Sequence, residues 1–586
     1  MNPQPGAIYQ GFAASIHVGY NLVAATTMLL LDTIDDDIRA APSLKRADLL
    51  RLTEPSNLSP INLQIHRNYA FELVGSVLAP FLWLSGLKAS IGYGDYDDSL
   101  SFAQIDPAAI QIISLDFERY GETAGSATFR DWFARRLKSL RRMTDRPIVV
   151  ANWPSEEHQA EGFNLELEKT ASRLPSVFVW DTAAIFRNMN ERFFDERAAS
   201  AKGTRLSNTA CIEMARSLGL VRLPSVLLPR IKAVALDLDN TLYDGVLGED
   251  GVEGVRVSAE HEAVYKELLR LRGEGVFLAI LSKNDERDFV ELCEKRADFL
   301  LKRPHFSANS IGWHPKLEGV SRIAEQLRIG VDSILAVDDN VGEIAQLRAA
   351  HANMPLLHSR SPAQTLFWLR HYPALNGYRA NSTTALRVND LEAARQRDLL
   401  RASTSSVDYV REMRIELCYA LNQASLRGRL AELSQKTNQF NTGLRRFSEV
   451  EVARRLEAPG HFTVSIGMRD RFCDSGIIGA IFATADGNQL VIDEISVSCR
   501  ALGRSIESPM IALALAPIIE RYDLRDVVFC FREGPRNLPA RMWLRSFTGG
   551  PDISNDGLVN VTWEAIPQLK EHLEAPIASQ WEQTTG

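Results

Sequence analysis

Six cysteines (Cys211, Cys293, Cys418, Cys473, Cys499, Cys530) are scattered along the chain with no Cys-x-x-Cys pair among them. That scarcity argues against a disulfide framework and against a zinc site, and it makes a reducing cytoplasm the expected compartment. Positive charge is not in excess: 66 Lys and Arg face 74 Asp and Glu, a formal net charge of -8, so no general affinity for nucleic acid is expected. Long apolar runs are missing too. Leu22 to Leu31 is too short to span a bilayer, Leu73 to Leu87 is broken by Gly75 and Pro80, and the first residues lack the pattern of a signal peptide, so no membrane anchor is expected. There are no repeats and no low-complexity tracts.

What is present is 586 residues, 45% hydrophobic, more than a single core can serve. Residues 1–58 read as a helical lead-in that ends in the turn-rich PSNLSP. From 59 to 230, short apolar runs (INLQI, IQIISLDF, RPIVVANW, VFVWD) alternate with helical periodicity, the sign of parallel strands joined by crossover helices. A second alternation covers 231–375, through IKAVALDLDNT, VFLAILSKND, DFLL and ILAVDDN, each run ending in polar residues. From 376 to 586 a helical linker to about Leu456 leads into strands, with a hairpin expected around Ala485-Asp486-Gly487-Asn488. The fold class is therefore α/β and multidomain, with a mixed, partly antiparallel last domain.

The strongest chemical signal is Asp237-Leu238-Asp239-Asn240-Thr241, directly after a buried strand. Two carboxylates one residue apart at a strand end let one attack phosphorus while the other handles the leaving-group proton. Such a pair also calls for a hard cation with oxygen ligands, which Mg2+ supplies. Later strand ends bring Ser282-Lys283-Asn284, then Lys316 in Trp313-His314-Pro315-Lys316, then Asp338-Asp339-Asn340. A hydroxyl and an ammonium can neutralise and orient a phosphoryl group, and a second carboxylate pair can complete a metal shell. The interval from Thr241 to Ser282 holds only an expected Gly-rich hairpin (Gly245 to Gly254) and a helix, and the next interval is also short, so there is no room for a large lid. The site should be open, closed by a bulky substrate or by a neighbouring domain.

This ordered set resembles the haloacid dehalogenase (HAD) superfamily. The wording of the motifs, DLDNTLYDGVLGEDG, LSKND, Trp313-x-Pro315-Lys316 and VDDN, is similar to its FkbH-like branch in subfamily IIIC. So are Lys436-Thr437-Asn438-Gln439-Phe440-Asn441 with Arg445-Arg446, Arg469-Asp470-Arg471-Phe472, and Ser498-Cys499-Arg500-Ala501-Leu502-Gly503-Arg504, which extend the resemblance over about residues 60 to 550. The resemblance implies Asp237 as nucleophile and Asp239 as general acid/base. It implies Thr241, Ser282, Lys283, Asn284 and Lys316 as phosphate binders, and Asp237, Asp239, Asp338 and Asp339 around Mg2+. It further implies an SGNH-hydrolase-like, flavodoxin-type α/β domain at the N-terminus, a HAD-like Rossmannoid domain in the middle, and a GNAT-like mixed α+β domain at the C-terminus. Members take the three-carbon unit of 1,3-bisphosphoglycerate, remove phosphate and deliver a glyceryl thioester to the phosphopantetheine arm of an acyl carrier protein for polyketide-type biosynthesis.

The sequence departs from that pattern in places. Tyr243-Asp244-Gly245 stands where an aromatic and two glycines are usual, Cys473 replaces a glycine, and Val341-Gly342-Glu343 follows the last motif. Cys499, after a strand and before an expected helix, is the candidate for a transient acyl-thioester, with Cys473 as runner-up; a helix N-terminus lowers a thiol's pKa. Arg500, Gly503 and Arg504 approximate a loop that binds pyrophosphate or pantetheine through amides at a helix start. Arg445, Arg446, Arg469, Arg471, Arg500, Arg504, Arg532, Arg536, Arg541 and Arg545 offer either a patch for an acidic carrier protein or an internally paired surface.

An active SGNH hydrolase needs a serine after the first strand and a late Asp-x-x-His pair. Here the strand ends His66-Arg67-Asn68-Tyr69-Ala70 and the late block is Asp195 with Arg205-Leu206-Ser207-Asn208, so the domain reads as a docking or closing element. The leading expectation is a Mg2+-dependent glyceryl transferase/phosphatase. The alternatives are a phosphatase for another phosphorylated metabolite or a phosphorylated acyl carrier, and a noncatalytic scaffold.

Overall fold

The computed structural model describes residues 38–582 except 42–43, 97–98, 378–381, 404–405, 499, 503, 505 and 551–555. Most of the expected lead-in, residues 1–37, lies outside the described residues. The chain divides into two compact units that meet in sequence at Thr384/Ala385. No described helix is long and apolar enough to cross a membrane. The fold is mixed α/β and multidomain, with parallel sheets.

The first unit holds two five-stranded parallel sheets. One is built from β1 (Ser59–Arg67), β2 (Leu87–Tyr93), β3 (Ile110–Ser114), β4 (Ile148–Ala151) and β5 (Val177–Trp180) in the order β2-β1-β3-β4-β5. Its central β3 and β4 are buried at every position, as strands covered by helices on both faces must be. The second sheet uses β6 (Ala233–Leu236), β7 (Phe277–Ser282), β8 (Ala308–Ile311), β9 (Ile334–Asp338) and β10 (Leu356–His358) in the order β10-β9-β6-β7-β8. With β6 at the centre between β9 and β7, the residues after these three strands are brought side by side at one edge. The two sheets share one core: Ile65 and Phe81 belong to the same buried cluster as Val234, Leu278 and Trp368. Between them the buried guanidinium of Arg216 pairs with Glu213 and lies over the rings of Phe81 and Phe367.

The second unit is one seven-stranded mixed sheet, from β11 (Glu416–Leu421), β12 (His461–Arg469), β13 (Asp474–Asp486), β14 (Gln489–Val497), β15 (Asp526–Phe531), β16 (Gly557–Thr562) and β17 (Ala578–Trp581), in the order β16-β15-β14-β13-β12-β11-β17. β13 and β14 form a hairpin whose turn carries Gly487 at φ 61°, a conformation that favours glycine. The parallel pairing of β14 with β15 stops at Ile492↔Phe529, although β14 runs on to Val497. Segment 437–446 enters the gap. Asn441 bridges Ser496, the Val497 amide donates to the Phe440 carbonyl (2.9 Å), and the Arg532 amide donates to the Thr442 carbonyl (2.8 Å). Glu494, fully buried, accepts from the amides of Thr442 (2.9 Å) and Arg445 (2.6 Å). Burial pushes its carboxyl up to about 7 despite those donors.

Candidate active site

The site grows out of β6. Leu236, Leu238 and Leu242 are fully buried, and their anchoring leaves Asp237 and Asp239 to the polar edge of the sheet. The Asp237 amide donates to the Val337 carbonyl (3.0 Å), carrying the β6–β9 pairing one step further. The chain then turns at Asn240, φ 52°, a left-handed conformation asparagine tolerates, and its side chain accepts from the Gly245 amide (3.1 Å). The expected Gly245–Gly254 hairpin is instead helical over Leu247–Gly254 with a break at Gly251 (φ 69°), and it is closed at its base by an Asp244–Arg256 bridge. The Asp250 carboxylate caps it by accepting from the Val246 amide (2.7 Å), so the segment makes a compact shoulder in place of a ribbon.

Lys316 begins the helix that follows β8, and its ammonium reaches Asp237 Oδ2 (3.0 Å) and Asp338 Oδ2 (2.5 Å). All three residues are buried. Burial by itself would lower the Lys316 pKa, but the two carboxylates outweigh it and hold the ammonium above its ordinary value. Asp338 is pushed up to about 7, by burial first and then by the charge of Asp237, with Lys316 opposing. Asp339 is raised for the same two leading reasons. Carboxylate oxygens of Asp237, Asp338 and Asp339 lie within 4.8 Å of one another. Three carboxylates against one ammonium leave buried negative charge that a hard divalent cation would offset, and oxygen is the ligand Mg2+ takes. These residues fit the ion.

Asp239 stands apart from that cluster. Its Oδ1 accepts from the Tyr243 hydroxyl (2.8 Å) and the Leu247 amide (3.0 Å), and its Oδ2 accepts from Asn284 Nδ2 (3.0 Å). Expected among the metal ligands, its carboxylate is instead held by neutral donors. Asn284 also donates to Ser282 Oγ (3.2 Å), so the expected phosphate binder is engaged with the acid/base candidate. The Thr241 hydroxyl is buried, with no hydrogen-bond partner among the described residues. Lys283 turns away to Glu343 (2.5 Å). The contact of Tyr243 with Asp239 escaped the sequence reading; a spacing of four residues around a turn was its only signal. Trp313, at 81% exposure, stands three residues before Lys316 on the same open edge.

In the second unit Cys499 and Gly503 lie outside the described residues. Arg504, expected to meet a carrier, is buried and engaged: Asp470 at 2.8 Å, Asp390 at 3.4 Å and the Arg500 carbonyl at 2.7 Å. Arg397 completes the group through Asp470 (2.8 Å) and Asp390 (3.1 Å). Cys473 joins it, 3.2 Å from Asp390, and burial followed by that carboxylate pushes its thiol up to about 11. Other arginines of the expected patch are also paired: Arg445 with Asp493 (2.8 Å), Arg469 with Glu416, Arg471 with Glu412 (3.9 Å), Arg532 with Asp556 (3.1 Å) and Arg541 with Glu533 (3.0 Å).

At the corresponding edge of the first sheet, Asn68 bonds both backbone groups of Asp116, Arg205 pairs with Asp116 (2.9 Å), and Tyr69 meets Ser114 (2.8 Å). The cleft lined by Tyr69, Ser114, Asp116 and Arg205 has no histidine among its described residues. His66 is buried against Gln111 (2.8 Å), Asp195 pairs with Lys202 (3.3 Å), and Ser207 caps the helix Asn208–Arg216.

No family model matches the chain, and no curated protein does. Among solved structures, the N-terminal part of a Bacteroides fragilis protein, containing a phosphatase domain and complexed with Mg, is 20% identical, with a TM-score of 0.46 over 57% of this chain and 100% of that one. An N-acetyltransferase from Thermoplasma acidophilum in complex with coenzyme A is 11% identical, with a TM-score of 0.20 over 26% of this chain and 99% of that one. Identities this low, with TM-scores below one half, leave the function to the site's own residues.

Proposed function

We propose that this chain is a Mg2+-dependent phosphatase and glyceryl transferase that acts on 1,3-bisphosphoglycerate and loads an acyl carrier protein. One observation supports the phosphoryl-transfer part of the reading: Asp237, Asp338 and Asp339 converge at the ends of β6 and β9, Lys316 reaches Asp237 and Asp338 from the helix after β8, and Asp239 is fixed by its own donors. Of the substrate's two phosphates, the acyl phosphate already activates its carbonyl toward a thiol. The phosphomonoester needs a nucleophile, a charge clamp and an acid, and those are what the cluster offers. A carboxylate oxygen of Asp237 attacks phosphorus in line, and the alkoxide leaves with a proton from Asp239. Asp239 then takes a proton from water as the water displaces phosphate from Asp237. Lys316 and the Thr241 and Ser282 hydroxyls hold the phosphoryl oxygens. When bound, the metal held by Asp237, Asp338 and Asp339 neutralises phosphoryl charge. At the other end, a thiol of Cys499 or of the carrier adds to the carbonyl and expels the acyl phosphate as phosphate, leaving a thioester.

The test is incubation with 1,3-bisphosphoglycerate and a phosphopantetheinylated carrier, read by intact mass. A glyceryl gain on the carrier is expected, and no gain on any carrier of its own pathway contradicts the proposal. A second reading, a phosphatase acting on another phosphorylated metabolite, is favoured by the self-paired arginines, which leave less of the expected docking patch available. Intact mass of the carrier separates the two, since a glyceryl gain is expected only under the first; Cys499→Ala then tells whether that cysteine or the carrier thiol takes the acyl group, with phosphate release surviving in either case.

A further inference from the structure

We infer that Tyr243 is a positioning residue for Asp239: by occupying Oδ1 it leaves Oδ2 as the oxygen presented to the reacting groups. This rests on the phosphoryl-transfer reading above. The phenol of Tyr243 is fully buried, its ring packed against Phe299 at 6.3 Å between centroids. Its hydroxyl donates to Asp239 Oδ1 at 2.8 Å. Oδ1 therefore receives two donors, the Tyr243 hydroxyl and the Leu247 amide. Oδ1 is thereby filled, whereas Oδ2 takes a single donor, Asn284, and keeps its other lone pair open on the side of Asn284 and Ser282 at the end of β7.

The backbone around Tyr243 makes the clamp stiff. Asp239 and Tyr243 are joined by a parallel bridge, and Tyr265, itself 5.3 Å from Phe299, donates to the neighbouring Leu242 carbonyl. Phenylalanine would fill the same space without the hydroxyl. If Tyr243 only packs the core, removing that hydroxyl leaves the chemistry alone. If it sets the direction of Asp239, both proton transfers suffer: the one to the leaving oxygen and the one from water.

The experiment compares the full-length protein with Tyr243→Phe in Mg2+, by rapid-quench kinetics on 4-nitrophenyl phosphate and on an alkyl phosphomonoester. Nitrophenolate leaves without a proton, whereas an alkoxide needs one. Tyr243→Phe is expected to keep the nitrophenol burst rate within about threefold of the parent, and to slow the alkyl burst and the later steady state by about tenfold to a hundredfold, with a lower KM on the nitrophenyl ester, where only dephosphorylation slows. An equal loss of burst rate on both substrates, or no loss on either, overturns the positioning role. A parent protein that forms no phosphoenzyme with either substrate overturns the underlying reading instead. A thermal midpoint close to the parent's shows that the variant is folded.

Discussion

The Lys316 ammonium lies 3.0 Å from the Asp237 carboxylate, and it is supplied by a helix that follows a different strand. The same nitrogen touches Asp338, so one cation holds together two acidic groups that would otherwise repel each other. The proposed nucleophile and its cation are thus coupled before any substrate arrives.

Lys316→Met leaves the buried Asp237 and Asp338 carboxylates without that cation. Breaking a buried pair from one side costs about 3–5 kcal/mol. We expect a lower thermal midpoint in chelator, partial recovery in millimolar Mg2+, and at least a hundredfold loss of phosphatase activity. A variant as stable and as active as the parent would show that the pair has no role.

Mg2+ should stabilise the folded chain by mass action, by about 2.7 kcal/mol when it is present at a hundred times its dissociation constant. Asp339→Asn, which removes one of the three converging carboxylates, is expected to shrink the Mg2+-dependent shift in midpoint. Chelation should abolish phosphate release, and added Mg2+ should restore it.

Arg504→Ala distinguishes an internal strut from a docking cation. Buried between Asp470 and Asp390, it should cost about 3–5 kcal/mol of stability, read as a lower denaturation midpoint of the second unit. Phosphate release from a small ester by the folded protein should not change. A variant of normal stability with a raised KM for carrier would make Arg504 part of a docking surface.

Glu494 gives a pH dependence with a definite sign. Its folded pKa is raised from 4.5 to about 7, so between those values the folded chain holds a proton that the unfolded chain has released. Its contribution to stability falls as pH rises through that window and is constant on either side. Urea midpoints of Glu494→Gln should depend less on pH between about 5 and 7 than those of the parent.

Much of the site could be read in the sequence because β6, β7 and β9 are continuous apolar runs that stop at polar residues, a pattern only a buried parallel strand requires. Edge strands lack that pattern: β2 alternates and β16 is largely exposed. β11 is internal, but it lies in a stretch whose flanks read as helix; all three escaped notice. Distance in sequence hid the rest. Arg504 meets partners contributed by a distant helix and loop, and no local pattern separates such an arginine from one facing solvent. The Tyr243–Asp239 bond depends on the turn at Asn240, which spacing alone does not reveal.

The most direct test of the central claim is mass spectrometry of acid-quenched protein after brief exposure to a phosphomonoester in Mg2+, with peptide mapping. The account predicts a single added phosphoryl group on Asp237, absent from Asp237→Asn together with turnover. Phosphate release by Asp237→Asn at the parent's rate, or a phosphoryl group mapped to another residue, would contradict it.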